Sequence, residues 1–238
     1  VKQIDSPRDI LLFDLGAAGV LVSAVDSCGG IGLLACDTLR VDPETVGEYT
    51  ARVALLEVLA AGALPVFASA AISSGPDTAG ALISGIKKAL DASVPLSVST
   101  EKNMPTPMTA LGVTVTGLCA KGDLRVARAK KGDILYCAGL PLVGAETLAP
   151  DAILLGPAHL AALLSCPTVR SLIPVGSAGI AAEAGVLATE SNLTCALRPD
   201  AGIDIAKSAG PSTCALFAAQ EPVSLDIGLP IFKIGVLK

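Results

Sequence analysis

Three stretches of alternating apolar residues, GVLVSAV (19–25), LPVFASAA (64–71) and MTALGVTVTG (108–117), set the first constraint on the fold. Alternation at period two is the mark of a strand with one buried face. Together these stretches offer more strand face than residues 1–120 can bury alone, so an exposed sheet face and a second copy to cover it are expected.

Two helical segments interrupt the strands. In DPETVGEYTARVALLEVLAAGA (42–63), Asp42 is placed to cap, Pro43 opens the first turn, Glu44 follows it, and Gly62 ends the run, which predicts a helix over 43–61. GPDTAGALISGIKKALDAS (75–93) carries its lysines late, as the helix dipole prefers. With ILLFDLG (10–16) and VPLSVS (94–99) as further strands, residues 1–120 read β-β-α-β-α-β-β.

The charged, glycine-punctuated stretch AKGDLRVARAKKGD (120–133) is the expected boundary. Beyond it come a strand ILYCAGL, helices near 157–165 and 177–189, a strand near 193–197, and strands in STCALFAA and PIFKIGVLK. The expected fold class is α+β: a β-sheet or half-barrel domain with helices on one face over 1–125, and a second α+β domain over 126–238.

Composition narrows the function. The chain has no Trp and a net charge of −5, which argues against a nucleic-acid partner, because the phosphate backbone needs a basic surface and unpaired bases need stacking platforms. The uncharged stretches 58–76 and 103–120 have membrane-spanning length, but prolines, glycines and strand alternation make them turns and buried strands. No basic region followed by an apolar core stands at the start, and a cytoplasmic location is expected. The seven cysteines form no C-x-x-C pair and read as small buried hydrophobes in a reducing compartment. The single histidine, His159, lies in an Ala/Leu-rich helix and reads as structural.

AVDSCGGIGLLACD (24–37) ends a strand on Asp26 and follows with Gly29, Gly30 and Gly32. It matches neither G-x-x-x-x-G-K-[ST] nor G-x-G-x-x-G. On the helix, Thr50, Val53, Glu57 and Ala61 form one row, otherwise apolar or small, and Arg52 faces elsewhere. Glu57 therefore needs a hydrogen-bond donor, a protein cation or a bound ion. Glu101 and Asn103 stand in a loop after another strand. Oxygen ligands from three segments suit Mg²⁺, while each residue alone is also a common turn former or surface acid.

These motifs resemble the aminoimidazole-ribonucleotide (AIR) synthase-like superfamily, which includes selenophosphate synthetases and thiamine-monophosphate kinases. GEYTARVALLEVLAAGALP (47–65) is similar, without a gap, to the helix that carries a metal-binding acid there, with Glu57 on that acid. VDSCGGIG resembles the Asp-led glycine loop, and STEKNMPTPMTALGVTVTG the acid-containing loop and long strand. SAGPSTCALFA (208–218) and VGSAGIAAEA (175–184) resemble elements of the C-terminal domain, so the similarity spans the whole chain. ARVALLEVLAAGA and TEKNMPTPMTALGVTV look most like the AIR synthase-related α-ribazole kinases of cobalamin lower-ligand salvage.

The resemblance implies an ATP- and Mg²⁺-dependent kinase acting on a small nucleoside-like substrate, with N-terminal domains paired into a shared barrel in a homodimer. It implies Asp26, Glu57 and Glu101 as metal-holding catalytic acids. Gly29, Gly30, Gly32, Thr100 and Asn103 would line the ATP site. The family's loop carries acids where this chain has Thr100 and Asn103, so which of Thr100, Glu101 and Asn103 meets metal stays open. A thiamine-monophosphate kinase-like enzyme, an ATP-dependent cyclisation or amination enzyme, and a nucleotide-binding regulator without turnover are the alternatives.

Overall fold

The structure, a computed structural model, describes all residues 1–238, which fall into two compact units. Unit 1 comprises Val1–Ile4, Asp9–Val58 and Ala63–Cys119; unit 2 comprises Asp5–Arg8, Leu59–Gly62 and Ala120–Lys238. Contacts thus divide the chain mainly at 119/120, and two short segments, Asp5–Arg8 near the start and Leu59–Gly62 at the end of the first long helix, group with the second unit.

Unit 1 holds β1 (Lys2–Ile4), β2 (Ile10–Asp14), β3 (Val20–Gly29), β4 (Ile31–Gly32), β5 (Leu39–Arg40), α1 (Pro43–Ala60), β6 (Leu64–Ile72), α2 (Pro76–Ala89), β7 (Leu96–Thr100) and β8 (Ala110–Cys119). Its main sheet has the order β1-β2-β3-β8-β6-β7, antiparallel except for the parallel β6–β7 pair. The expected strands and helices are present; β1 and the small parallel β4–β5 ladder were not foreseen.

Local chemistry sets the α1 start, where the Asp42 carboxylate accepts the Glu44 amide at 2.9 Å. Helix α1 then packs tightly because glycine allows it. A Cβ on Gly47 would overlap the Leu82 carbonyl, and one on Gly85 of α2 would overlap the Glu44 carbonyl, so the two helices meet backbone to backbone. A Cβ on Gly117 of β8 would meet Val58 of α1 in the same way.

One sheet face is apolar and covered: Leu12, Val22, Val113 and Val115 are fully buried, as are Leu56 of α1 and Leu82 of α2. The other face is bare. Leu11, Val25 and Phe67 stand 52%, 65% and 46% exposed on it, which is the surplus strand face that the alternation pattern predicts. A shallow groove of about 390 Å³ crosses this face, with Val25, Ser69, Ser97, Ser99 and Thr114 in its walls.

Unit 2 holds β9 (Ile134–Ala138), α3 (Pro157–Ser165), β10 (Val169–Pro174), α4 (Ile180–Glu190), β11 (Cys195–Leu197), β12 (Ala215–Ala219) and β13 (Ile231–Leu237). Its antiparallel sheet runs β10-β12-β9-β13-β11 over a core that includes Leu135, Ile173, Ile180, Leu187, Leu216 and Ile234. His159 accepts the Gly156 amide on Nδ1 at 2.9 Å, closing the first turn of α3, and so serves the structural role expected of it.

The most polar interior contact of unit 2 comes from the N-terminal segment. Arg8 donates to both carboxylate oxygens of Glu190, at 2.6 and 2.7 Å, and to the Leu172 carbonyl at 2.7 Å. Both side chains are 1% exposed, so this forked pair satisfies charges that burial would otherwise make costly. No helix in the chain is long and apolar enough to cross a membrane.

Candidate functional site

Asp26 lies near the end of β3, opposite Val113 of β8. Burial pushes its carboxyl up to about 6, and only a bond from the Ser27 backbone acts in the other direction. A carboxylate that the protein solvates this poorly suits a partner that brings positive charge with it.

Cys28, two residues on, shares the environment. Its thiol is raised first by burial and then by the charge of Asp26; a hydrogen bond with Thr50 of α1 opposes both, and Asp37 adds a smaller push upward. These shifts suppress the thiolate, which a nucleophilic role would need.

The glycine loop is braced from within. Gly30, at φ +72°, donates its amide to the Thr109 carbonyl at 2.9 Å, and its own carbonyl accepts the Thr38 amide at 2.8 Å. A Cβ on Gly32 would lie 2.6 Å from Asp37 Oδ2 and would collide with Thr109. Gly32 is therefore bare to admit two side chains of this protein, and the Gly30 amide is already engaged. Gly29, by contrast, has open space where a Cβ would point and is exposed.

Asp37, which sequence reasoning treated only as the end of the loop, is the buried acid at its centre. It is 9% exposed and accepts three bonds of 2.8 Å, from the Leu34 amide, the Thr109 amide and the Thr109 hydroxyl. Burial raises this carboxyl, but the Thr109 and Leu34 bonds, helped by Arg40, outweigh it and leave the pKa lowered. No local sequence signal marks the pairing, since Asp37 and Thr109 lie 72 residues apart.

Glu57 is half-buried on α1, with Thr50 one face-repeat earlier and fully packed. Arg52 is 8% exposed, with its guanidinium 5.1 Å from the Tyr49 ring centroid. Thr100 ends β7. Glu101 holds its own loop: its Oε1 accepts the Asn103 amide at 2.6 Å and the Met104 amide at 3.2 Å, and these bonds lower its pKa. Asn103 is exposed.

Nowhere does the structure gather three or more His, Cys, Asp or Glu side chains where a metal ion could be held. Asp26, Glu57 and Glu101 thus do not stand as a preassembled triad. By donor chemistry Asp26 fits a hard divalent cation best, being an oxygen ligand whose charge burial leaves uncompensated. Glu101 spends one carboxylate oxygen on its loop and keeps the other.

No protein-family model and no curated protein matches the sequence. Solved structures do. A hydrogenase maturation protein HypE from E. coli superposes with a TM-score of 0.67 at 16% identity, covering 97% of this chain and 85% of that one. Thiamine-monophosphate kinase from Stenotrophomonas maltophilia K279a gives a TM-score of 0.64 at 19% identity, covering 97% and 89%. The chain shares the fold of these two proteins. A third match, AaThiL complexed with AMPPCP and TMP, gives a TM-score of 0.62 at 18% identity, covering 97% and 84%. These likenesses run the length of the chain, and at such identities they establish architecture.

Proposed function

We propose that this protein is an ATP- and Mg²⁺-dependent small-molecule kinase, with α-ribazole as the first acceptor to test and cobalamin lower-ligand salvage as its setting. The observation that carries the reading is Asp26, a poorly solvated carboxylate raised to about 6 on the strand that runs out into the open backbone of Gly29. The fold it sits in is also that of AaThiL, which is complexed with the nucleotide analogue AMPPCP.

Phosphoryl transfer asks a protein mainly for positioning and for neutralisation of charge. On this reading Asp26 would hold Mg²⁺ to offset the charge of the triphosphate, and Glu57 and Glu101, not gathered with it beforehand, would be further oxygen donors once the ion is bound. Gly29 gives the phosphates close approach to backbone, and Thr100 and Asn103 offer neutral polar groups at the rim. Cys28 is not the nucleophile on this reading, because its surroundings hold its proton on.

The bare face of the unit 1 sheet belongs to the same proposal. A second copy laid on that face would cover Leu11, Val25 and Phe67, and a homodimer is the expected solution state. A sedimentation experiment at micromolar concentration that returns only monomer would remove this part of the reading.

A nucleotide-binding regulator without turnover is the second reading. An acceptor screen separates the two. The protein is incubated with Mg²⁺–ATP and a set of small acceptors, nucleosides including α-ribazole and also thiamine monophosphate, and phosphorylated product is read by mass spectrometry. Product from a nucleoside supports the kinase; ATP binding without product from any acceptor supports the regulator.

A further inference from the structure

Asp37 is the one nearly buried acid in unit 1 whose carboxylate is spent on this protein's own backbone, and the segment it holds is the glycine loop. We infer that Asp37 is a positioning residue for the nucleotide site, locking residues 30–37 onto Thr109 so that the loop leaving Gly29 keeps a fixed relation to bound phosphate. The inference rests on the kinase reading, and it adds a residue to which that reading assigned no role.

Three features argue for a lock rather than an ordinary turn. First, the bonds are long-range: both oxygens of Asp37 reach Thr109, one to its amide and one to its hydroxyl, and the second also accepts the Leu34 amide. A carboxylate fixed at three points by donors of 2.8 Å has no rotational freedom left.

Second, the site is built to receive it. Gly32 occupies the one position where any side chain would strike both Asp37 and Thr109. Third, parallel ties reinforce the same seam. The Gly30 amide donates to the Thr109 carbonyl at 2.9 Å, and the Cys36 amide donates to the Pro107 carbonyl at 2.8 Å. Thr109 directly precedes β8, whose Ala110 pairs with Gly29 and whose Val113 pairs with Asp26. The lock is therefore anchored to the strand that registers the proposed ligands.

A loop with seven or eight residues of free backbone would pay ordering entropy on each binding event, and a lock removes that cost in advance. Misplacing a phosphate-facing group by about 1 Å costs on the order of 10- to 100-fold in function. Asp37→Asn keeps the shape but replaces one acceptor oxygen with a donor, so the three bonds from Leu34 and Thr109 cannot all survive. Thr109→Val removes the hydroxyl donor at constant volume, and Thr109→Ser retains it.

The test is a titration of Mg²⁺–AMPPCP into the full chain and into these three variants, with melting temperature and amide exchange of residues 30–37 measured on the same samples. The expected result is analogue affinity weakened about 10-fold or more in Asp37→Asn and Thr109→Val. Exchange in the loop should accelerate in both, and Thr109→Ser should bind within about threefold of the parent. If the parent binds and all variants bind equally, the positioning role is overturned while the kinase reading stands. If Thr109→Ser loses affinity and melting temperature together with Thr109→Val, the contact is merely structural and the inference is also overturned. If the parent itself does not bind the analogue, the kinase reading fails and takes the inference with it.

Discussion

Replacing Asp26 with Asn should make the protein more stable and less active at once. The carboxyl rises from 3.8 to about 6 in the folded chain, so the fold holds a proton there more tightly than the unfolded chain does. For an acid raised in this way, the favourable contribution is complete below the unfolded value of 3.8 and is lost as pH climbs through about 6. At about 1.4 kcal/mol per pH unit, the ionised Asp26 costs the fold on the order of 3 kcal/mol above neutrality. Asparagine carries no charge to desolvate, and the variant should recover most of that cost. For a chain of this size the gain corresponds to a rise in melting temperature of about 6–12 °C near pH 8, shrinking to about 1–2 °C near pH 4. Thermal melts of both proteins across pH 4–8, without ligand, give the comparison. A gain that is absent at pH 8, or equal at pH 4 and 8, would refute the claim that Asp26 is an uncompensated carboxylate.

Other perturbations test the architecture. Gly85→Ala should lower the melting temperature by several degrees or prevent folding, because its methyl group would enter the Glu44 carbonyl where α1 and α2 touch. Removing one partner of the buried Arg8–Glu190 pair, as in Arg8→Met, should cost about 3–5 kcal/mol in denaturant titrations. The double replacement Arg8→Met with Glu190→Met should recover much of that, and a single variant as stable as the parent would contradict the burial argument. Cys28→Ser should keep turnover within about 10-fold of the parent; a loss beyond 100-fold, about 2.7 kcal/mol, would mean that the thiol takes part in the chemistry.

What the sequence made legible was local. Asp42, Pro43 and Gly62 bracket α1 to within a residue of its observed end at Ala60, because capping and breaking are decided by neighbours in the chain. Strand alternation gave away the bare sheet face for the same reason. The glycine loop was legible as unusual, but not in its reason. Gly32 looks like backbone left open for a ligand, and only the fold reveals that Asp37 and Thr109 fill the space. The Arg8–Glu190 pair spans 182 residues and carries no periodic signal at either end. In each missed case the deciding partner lies outside the window that spacing rules can see.

The central claim is that Asp26 brings a divalent cation to a nucleotide for phosphoryl transfer, and ADP formation over a Mg²⁺ titration tests it most directly. The parent protein with ATP and its best acceptor should show turnover that rises and saturates with Mg²⁺. Asp26→Asn should lose about 100-fold or more of it while melting at a higher temperature than the parent. Parent-like ADP formation by Asp26→Asn at low Mg²⁺ would contradict the account and leave Asp26 as no more than the acid at the end of a strand.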